Sequence, residues 1–341
     1  MTDRYSSRLF MLSALTLSLI LNVEYLLFSG FSPWAIDFYV FWSSAFKPAS
    51  ELYAASNQPF VYPPTAIVFF KPLAWLSLTA GYLVWTFLSS SLFAIAVTRL
   101  EGWRVAALSL LSAGALQGLA LGQTPMILSA ALLFAIATPG FACGAIFGVA
   151  AAIKPQLLVL APLAFLVRKD WRTLSGMAAG LVVCVIVELV LYGPQLWFDW
   201  LNSMTAFREA LYSIGAISQV ITPYGVADRL GLNPLPFLVV SAALAVAAIV
   251  VSAKRFEGVY LVAAIVGASI LASPYALRHD TIALVPACIA AILAHPKLKM
   301  LPAIGIFSGY FVGVSLVFAA VLQLATLRRV SRYSATHRDP S

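Results

Sequence analysis

The fold is decided by an apolar run that reads LSGMAAGLVVCVIVELVLY from Leu174 to Tyr192. A helix needs about 20 mainly apolar residues to cross the hydrocarbon core of a bilayer, which is about 30 Å thick. Similar runs recur along the chain, and their continuous apolar character favours spanning helices over the alternating pattern of a membrane barrel. The sequence therefore predicts an all-α polytopic membrane protein.

The composition agrees with a chain that lies mostly in lipid. Hydrophobic residues make up 62% of the 341 residues and charged residues 10%, with a mean hydropathy of +0.94, whereas a soluble domain has about 25% charged residues. The net charge of +8 does not indicate nucleic-acid binding, because Lys and Arg cluster at the ends of apolar runs as topology signals and lipid headgroup contacts. The three Cys lie inside apolar runs and the three His are scattered, so we predict neither a metal site nor a cofactor.

The basic residues predict the topology. Arg4 and Arg8 precede an uncleaved first span, Leu9 to Phe28, and place the N-terminus in the cytoplasm and Asp37 on the outer side. With the first span, the predicted crossings number about eleven, or twelve if the basic C-terminal tail is to lie inside. The others are about Ala80–Thr98, Val105–Leu121, Met126–Thr138, Phe141–Ile153, Leu157–Val167, Leu174–Tyr192, Leu235–Ala253, Val259–Leu271, Thr281–Ala294 and Leu301–Leu324.

Three further stretches should lie at the membrane surface. The outer loops Gly30–Tyr62 and Gly193–Leu235 carry aromatic residues, in the second case at helical spacing, which predicts outer-side interfacial helices. The stretch Tyr62–Ser77 is short and interrupted by a Lys-Pro pair, so we expect it to be re-entrant or interfacial. We predict one membrane domain, 1–332, followed by a short basic tail, 333–341.

Asp37 is the sharpest functional candidate. It is a carboxylate set among aromatic and aliphatic residues, and partial withdrawal from water should raise its pKa and suit it to act as a general base. The alternative is a helix cap or an ion pair with Lys47. Tyr62, before Pro63 and Pro64, should form a rigid entry to a helix that helps to shape a substrate site.

Two basic clusters are predicted on the same side as Asp37. Lys154 directly precedes Pro155, which favours an extended backbone that aims the ammonium into a cavity, where it could bind phosphate; the alternative is a snorkelling lysine. Arg278 and His279 could bind the same phosphate, and the alternative is a polar turn with an internal pair between Arg278 and Asp280.

Polar residues near helix ends complete the predicted site. Gln123 follows a glycine and could bind sugar hydroxyls, although a plain Gly/Pro turn explains it as well. Cations that hold a phosphate leaving group, with a carboxylate that deprotonates an acceptor, suit transfer from a lipid-linked phosphate donor. The chain has no DxD, GxGxxG or P-loop pattern, which disfavours soluble nucleotide-dependent enzymes.

These residues together resemble glycosyltransferase family 87, the polyprenol-phosphate-sugar-dependent enzymes of the C superfamily that include mycobacterial alpha-mannosyltransferases. The resemblance implies a C-superfamily bundle and an inverting transfer of a hexose, usually mannose, from a polyprenyl-phosphate sugar to a lipid or glycan acceptor outside the cytoplasmic membrane. The matching pieces, in the family's order, are Asp37-Phe-Tyr-Val-Phe-Trp42, Leu52-Tyr53, Phe60-Val-Tyr62-Pro63-Pro64, Lys71-Pro72-Leu73, Gly122-Gln123, Ala151-Ala-Ile-Lys154-Pro155-Gln156, Ser273-Pro274 and Arg278-His279-Asp280.

The resemblance assigns roles to the candidates. Asp37 matches the family's base, and we expect the donor phosphate at Lys154, Arg278 and His279, and the substrate at Tyr62, Gln123, Gln156 and Asp280. The chain departs from the family after Thr138, where the usual Arg residues are missing, and after Pro274, where the family often has a Trp and paired His. The main rival function is a secondary transporter or lipid flippase that uses the same buried charges as a relay. A catalytically inactive scaffold is a third reading.

Overall fold

The computed structural model of the protein describes residues 35–54, 59–213 and 219–294. The predicted first span, Leu9–Phe28, the last span, Leu301–Leu324, and the basic tail, 333–341, lie outside these residues. Within them the chain is helical, and its β-structure consists of one isolated antiparallel bridge between Val220 and Leu277.

The helices follow one another with short connections. They are α1 (Ile36–Ser44), α2 (Ile67–Phe70), α3 (Leu78–Glu101), α4 (Trp103–Leu110), α5 (Ala113–Leu121), α6 (Pro125–Ile136), α7 (Phe141–Ile153), α8 (Ala161–Val167), α9 (Trp171–Tyr192), α10 (Gln195–Ser213), α11 (Pro223–Arg229), α12 (Pro234–Ala253), α13 (Gly258–Leu271) and α14 (Val285–Ala294). Short 3₁₀ segments lie at Ala49–Glu51, Pro64–Ala66, Lys71–Trp75, Pro155–Leu157 and Arg278–Leu284.

Three of the described helices, α3, α9 and α12, are long and apolar enough to cross a membrane. Their lipid-facing character shows in the exposed aliphatic and aromatic side chains along them, which include Phe87, Val190 and Val239. Helices α6, α7 and α13 are apolar but shorter. The protein is thus an all-α polytopic membrane protein, as the sequence predicts, although the predicted eleven or twelve crossings are not all helices of full length in the described part.

Three predicted crossings are divided in the structure. The stretch Val105–Leu121 forms α4 and α5, which meet at an angle of 61°, because the Ser112 side chain accepts a hydrogen bond from the Ala115 amide and begins a new helix. The stretch Leu157–Val167 becomes regular α-helix only at Ala161, after a 3₁₀ turn set by Pro155. The last, Thr281–Ala294, begins in 3₁₀ form, and α14 starts at Val285.

Helices α7 and α9 pack with their backbones in contact. A Cβ atom added to Gly144 would lie 1.8 Å from the Thr173 carbonyl oxygen, and one added to Gly180 would lie 2.3 Å from the Ala145 oxygen. Gly148 and Gly176 face the opposite helix in the same way. Small residues at a spacing of four allow this close approach between helices in a membrane, and the contact fixes the end of α7, where Lys154 follows.

The predicted surface elements are helical. Helix α10 occupies the second long loop as an amphipathic helix, and the stretch Tyr62–Ser77 folds as the short α2 between 3₁₀ turns, too short to cross as one helix. Beneath α1 lies an aromatic layer, in which Phe41 stacks on Phe70 with ring centroids 4.4 Å apart and meets Tyr62 edge-on at 5.1 Å. This layer holds α1 against the bundle.

Candidate active site

A cavity of about 570 Å³ lies between α1, the end of α7, helices α10 and α11 and the segment after α13. Its size falls within the range of small-molecule sites, about 300–1,000 Å³. The residues at its wall that carry polar or aromatic groups are Asp37, Phe41, Tyr62, Gln123, Lys154, Gln156, Trp200, Phe207, Arg208, Tyr224, Asp228, Ser273, Tyr275 and His279. The cavity therefore brings together residues from the full described length of the chain.

Asp37 lies in the first turn of α1 and is hydrogen-bonded to the side chain of Gln123. The Tyr62 hydroxyl donates to Gln123 Oε1 at 3.1 Å and lies 2.9 Å from the Thr124 hydroxyl. Because the amide oxygen of Gln123 already accepts from Tyr62, its NH₂ group is the part that faces Asp37. Tyr62 thus orients the amide that binds the carboxylate.

Backbone contacts fix the distance between Asp37 and Gln123. The Ala35 amide, just before α1, donates to the Ala120 carbonyl at 2.8 Å. Gly122 ends α5 in the left-handed conformation, with φ of 72°, and a Cβ atom there would lie 2.5 Å from Phe38 Cβ. Only glycine allows α1 to approach this closely. The turn that the sequence left open as a plain Gly/Pro turn therefore places Gln123 beside Asp37.

Lys154 forms the second charged feature of the cavity. It ends α7 with a non-helical backbone, φ −141° and ψ 75°, consistent with the exclusion of the helical region for a residue before proline. Its Nζ lies 2.5 Å from Asp280 Oδ1 and 5.7 Å from the centroid of the Tyr62 ring. The side chain is buried at the cavity wall, so the alternative of a lysine snorkelling to the lipid surface is wrong.

Asp280 is held from two sides. While Oδ1 accepts from Lys154, Oδ2 accepts from the Leu277 amide at 2.8 Å, and the carboxylate is fully buried. Burial is the largest single influence and would raise the pKa of Asp280, but the charge of Lys154 together with the hydrogen bonds from Lys154 and the Leu277 amide holds this pKa below its usual range. The alternative of an internal pair between Arg278 and Asp280 is replaced by the pair with Lys154.

Asp37 and His279 have perturbed pKa values of opposite direction. Withdrawal from water raises the pKa of Asp37 to about 6, although the Gln123 hydrogen bond and Lys154 act against it. Burial lowers the pKa of His279 to about 3. Neither ring nitrogen of His279 has a hydrogen-bond partner among the described residues, although Nε2 lies 3.9 Å from Asp280 Oδ1. Near neutral pH, His279 is thus an uncharged imidazole, which can offer a phosphate a hydrogen bond but no positive charge.

The structure brings most of the predicted site residues together. Six of them line the cavity, namely Asp37, Tyr62, Gln123, Lys154, Gln156 and His279. Asp280 lies behind the wall as the partner of Lys154. Arg278 is not among the lining residues of the described chain, because the 3₁₀ segment that begins there turns His279 toward the cavity instead. An ion pair between Asp37 and Lys47 is likewise not found in the described residues.

The sequence did not single out the opposite wall, where Arg208 on α10 pairs with Asp228 on α11 at 2.9 Å. The Tyr212 hydroxyl also donates to Asp228. The amphipathic pattern of α10 signalled a surface helix, but nothing in the short α11 segment marked Asp228 as its partner. Cavity, carboxylate and cations together can bind a phosphorylated ligand and remove a proton from a hydroxyl. No group of three or more metal-binding side chains occurs in the described residues.

Comparison with known proteins identifies relatives of the chain. The profile of glycosyltransferase family 87 matches residues 60–274. The chain is also 27% identical to the polyprenol-phosphate-mannose-dependent alpha-(1-2)-phosphatidylinositol mannoside mannosyltransferase of Mycobacterium tuberculosis, with 51% of this chain and 49% of the relative covered. The chain thus spans about half the length of this curated relative. No solved structure shows a significant match.

Proposed function

Because the chain belongs to glycosyltransferase family 87, we propose that it transfers a hexose, with mannose the first candidate, from a polyprenyl-phosphate sugar to a lipid or glycan acceptor. Support for the donor comes from the similar mycobacterial mannosyltransferase, which depends on polyprenol-phosphate-mannose. The positive-inside pattern of the sequence supports a reaction at the outer side of the cytoplasmic membrane. The protein itself supplies binding, orientation and proton transfer.

The proposed reaction is a single displacement at the anomeric carbon. The acceptor hydroxyl attacks this carbon while Asp37 takes up the hydroxyl proton. The bond between the carbon and the phosphate oxygen breaks, its electron pair stays on that oxygen, and polyprenyl phosphate leaves. Attack from the side opposite the leaving group inverts the configuration. The observation that carries the proposal is the position of Asp37, a carboxylate at the wall of the same cavity as Lys154.

The environment of Asp37 suits a general base. A pKa near 6 keeps the carboxylate mostly ionised at neutral pH while it retains a greater affinity for a proton than an ordinary aspartate. The NH₂ group of Gln123 orients the carboxylate and leaves its other lone pairs free for a substrate hydroxyl. His279 is neutral at this pH and can donate only one hydrogen bond.

Lys154 is the proposed contact for the donor phosphate. Its ammonium has three donors, and one is used by Asp280, so the remaining N–H groups can reach a phosphate oxygen from the cavity. The polyprenyl-phosphate sugar is a phosphodiester with one negative charge, and the neutral His279 ring could add a hydrogen bond to it. Arg278 could contribute to the phosphate through the field of its charge, since its side chain does not line the cavity.

The test is transfer of radiolabelled mannose from synthetic polyprenyl-phosphate mannose to endogenous acceptors in membranes that contain the wild type or Asp37→Asn. We expect transfer by the wild type and a loss of about 10²- to 10⁴-fold in the variant, the usual contribution of a positioned base. The matched control is Glu209→Gln, which removes an exposed carboxylate of α10 outside the cavity and should leave transfer unchanged.

Other outcomes separate the alternatives. Transfer that survives in Asp37→Asn would exclude Asp37 as the base. If the protein transfers no mannose but does transfer glucose from a polyprenyl-phosphate glucose donor, the proposed donor sugar is wrong and the proposed mechanism stands. Movement of intact labelled lipid across the membrane, with no label in a product, would replace the enzyme by a flippase.

A further inference from the structure

Glu188 is a buried carboxylate that the proposed reaction does not use. It lies near the end of α9, one of the helices long enough to span the membrane, and its side chain is fully buried. An ionisable group in such a helix is costly unless it has a partner or a function. Its Oε2 accepts a hydrogen bond of 2.6 Å from the Trp197 ring nitrogen, and its Oε1 has no partner among the described residues.

The position of Glu188 on α9 explains why it points inward. The buried face of this helix is otherwise a stripe of small or apolar residues that packs on α7. Glu188 continues the stripe, four residues after the buried Cys184. The carboxylate therefore faces the protein at the level where α10 begins, and not the lipid.

Trp197 connects Glu188 to the wall of the cavity. Its ring meets that of Trp200 edge-on, with centroids 5.9 Å apart. Trp200 lines the cavity, and its ring nitrogen donates to the Val61 carbonyl at 3.2 Å. The next residue, Tyr62, orients Gln123 beside Asp37. A chain of direct contacts thus leads from Glu188 to the α10 wall and to the segment that supports the candidate base.

We propose that Glu188 is a positioning residue, whose carboxylate holds Trp197 and thereby fixes α10 against the cavity. The hydrogen bond crosses the turn between a spanning helix and a surface helix, a junction that contains Gly193 in a left-handed conformation, with φ of 79°. Such a turn does not by itself set the angle of α10, so the side-chain bond supplies the constraint. The acceptor oxygen is essential to this role and the negative charge is not.

The test is hydrogen–deuterium exchange of the full chain in lipid nanodiscs. Glu188→Leu and Trp197→Phe both remove the hydrogen bond and should speed exchange in α10 by up to about tenfold, the effect of one ordinary hydrogen bond. Glu188→Gln keeps an acceptor and should exchange like the wild type. Two controls should also match the wild type: Trp171→Phe at the other end of α9, and Asp199→Asn on α10, whose carboxylate bonds within its own helix.

The double variant tests whether the two residues act together. If they share one bond, Glu188→Leu with Trp197→Phe should exchange no faster than either single variant. Additive effects, unchanged exchange in both single variants, or equal acceleration in Glu188→Gln would each overturn the proposal. If Glu188→Leu accelerates exchange throughout the protein, its effect on α10 is not specific. The Trp197→Phe variant then tests the proposal, because it removes the hydrogen bond but keeps a large aromatic ring in place.

A second readout rests on the proposed function. In the mannose transfer assay, Glu188→Leu should raise the KM for polyprenyl-phosphate mannose several-fold with a smaller change in kcat, and Glu188→Gln should restore it. If the exchange data fit the proposal but the wild type transfers no mannose, the proposed function is contradicted and the role of Glu188 stands. If the wild type transfers mannose but the variants leave exchange unchanged, the role of Glu188 is contradicted and the proposed function stands.

Discussion

Asp37 and Asp280 are two carboxylates beside one cavity, and their surroundings differ in kind. Asp280 is fully buried, and it accepts from Lys154 and from the Leu277 amide. Asp37 faces the cavity and has a neutral amide, Gln123, as its hydrogen-bond partner. Consequently the pKa of Asp280 is lowered, while burial raises that of Asp37 to about 6.

The comparison shows how one site separates two identical side chains into two roles. A carboxylate whose charge is matched by an ammonium holds no proton near neutral pH and serves as an anchor. A carboxylate that has only a neutral partner and little water can take a proton and release it. Residue type alone therefore does not identify the base. The partners do.

The largest effect on stability is expected from Asp280→Asn. The substitution leaves the buried Lys154 ammonium without a counter-charge, which should cost about 3–5 kcal/mol of unfolding free energy. Thermal unfolding of the purified protein in detergent would measure it. The matched control is Asp228→Asn, whose partner Arg208 is 58% exposed, and its loss should not exceed about 1 kcal/mol.

A companion variant sharpens this result. Replacing both charges, as Lys154→Met with Asp280→Leu, should recover much of the stability because no unpaired charge remains. The protein should still lack transfer activity, since the proposed contact to the donor phosphate is gone. A double variant as unstable as Asp280→Asn would show that the pair is not what stabilises this region.

Asp37→Asn should have the opposite effect on stability. Ionised Asp37 is disfavoured in the folded protein, because its pKa rises from 3.8 to about 6 on folding. This penalty sets in as the pH rises from 3.8 through 6 and is complete above 6, where it amounts to at most about 3 kcal/mol. The variant should therefore unfold at a higher temperature than the wild type at pH 8, with a gain that shrinks toward pH 4. A loss of stability at pH 8 would contradict the raised pKa.

The sequence predicted the environment of Asp37 better than the partners of the basic residues. Aromatic neighbours in the chain tend to withdraw an acid from water, so the sequence itself predicted that the pKa of Asp37 would be raised. The pair between Lys154 and Asp280 joins residues 126 positions apart, and sequence offers no means to choose among distant partners. Arg278 and Asp280 were both predicted at the site on residue type, but the 3₁₀ turn decides which side chains face inward, and the residue between them, His279, is the one of the three that lines the cavity.

For the fold, too, some features were predicted from the sequence and others were not. Apolar periodicity located the ends of α7, α9 and α12 within a few residues, because lipid demands long apolar helices. The break between α4 and α5 depends on hydroxyl groups that bond to the backbone: Ser109 donates to Val105 and Ser112 donates to Ser109. Serine in a helix has this option but does not always use it, so hydropathy alone predicted one crossing. Glu188 was missed because a single acid scarcely changes an apolar run.

Gln123→Leu should produce a moderate effect on the pH profile of transfer. As a base, Asp37 must be ionised, so the rate should rise with pH through about 6 in the wild type. The amide of Gln123 stabilises the ionised form, and its loss should move this limb to higher pH by about one unit at most, or about 1.4 kcal/mol. Initial rates between pH 5 and 8 would show it. A shift to lower pH would contradict the role of Gln123.

The smallest effect is expected from His279→Gln. An ordinary histidine titrates near 6.5 and could be mistaken for the group with a pKa near 6, but burial lowers the pKa of His279 to about 3. The variant should therefore keep the acidic limb at the same pH, whatever its maximal rate. Disappearance of the limb in His279→Gln would assign it to the imidazole and not to Asp37.

The contact between α7 and α9 bears on how enzymes with this fold could diverge. At Gly144 and Gly148 the two backbones touch, so even one added methyl group must push α7 away and carry Lys154 with it. A single substitution there cannot move α7 by a small amount, and a new position for Lys154, the proposed phosphate contact, would require coordinated change on both helices. Helix α10, held by side-chain contacts such as those of Trp200, can shift gradually. Natural variation in substrate choice should therefore accumulate on the α10 wall, while the Lys154 end of the cavity stays constant.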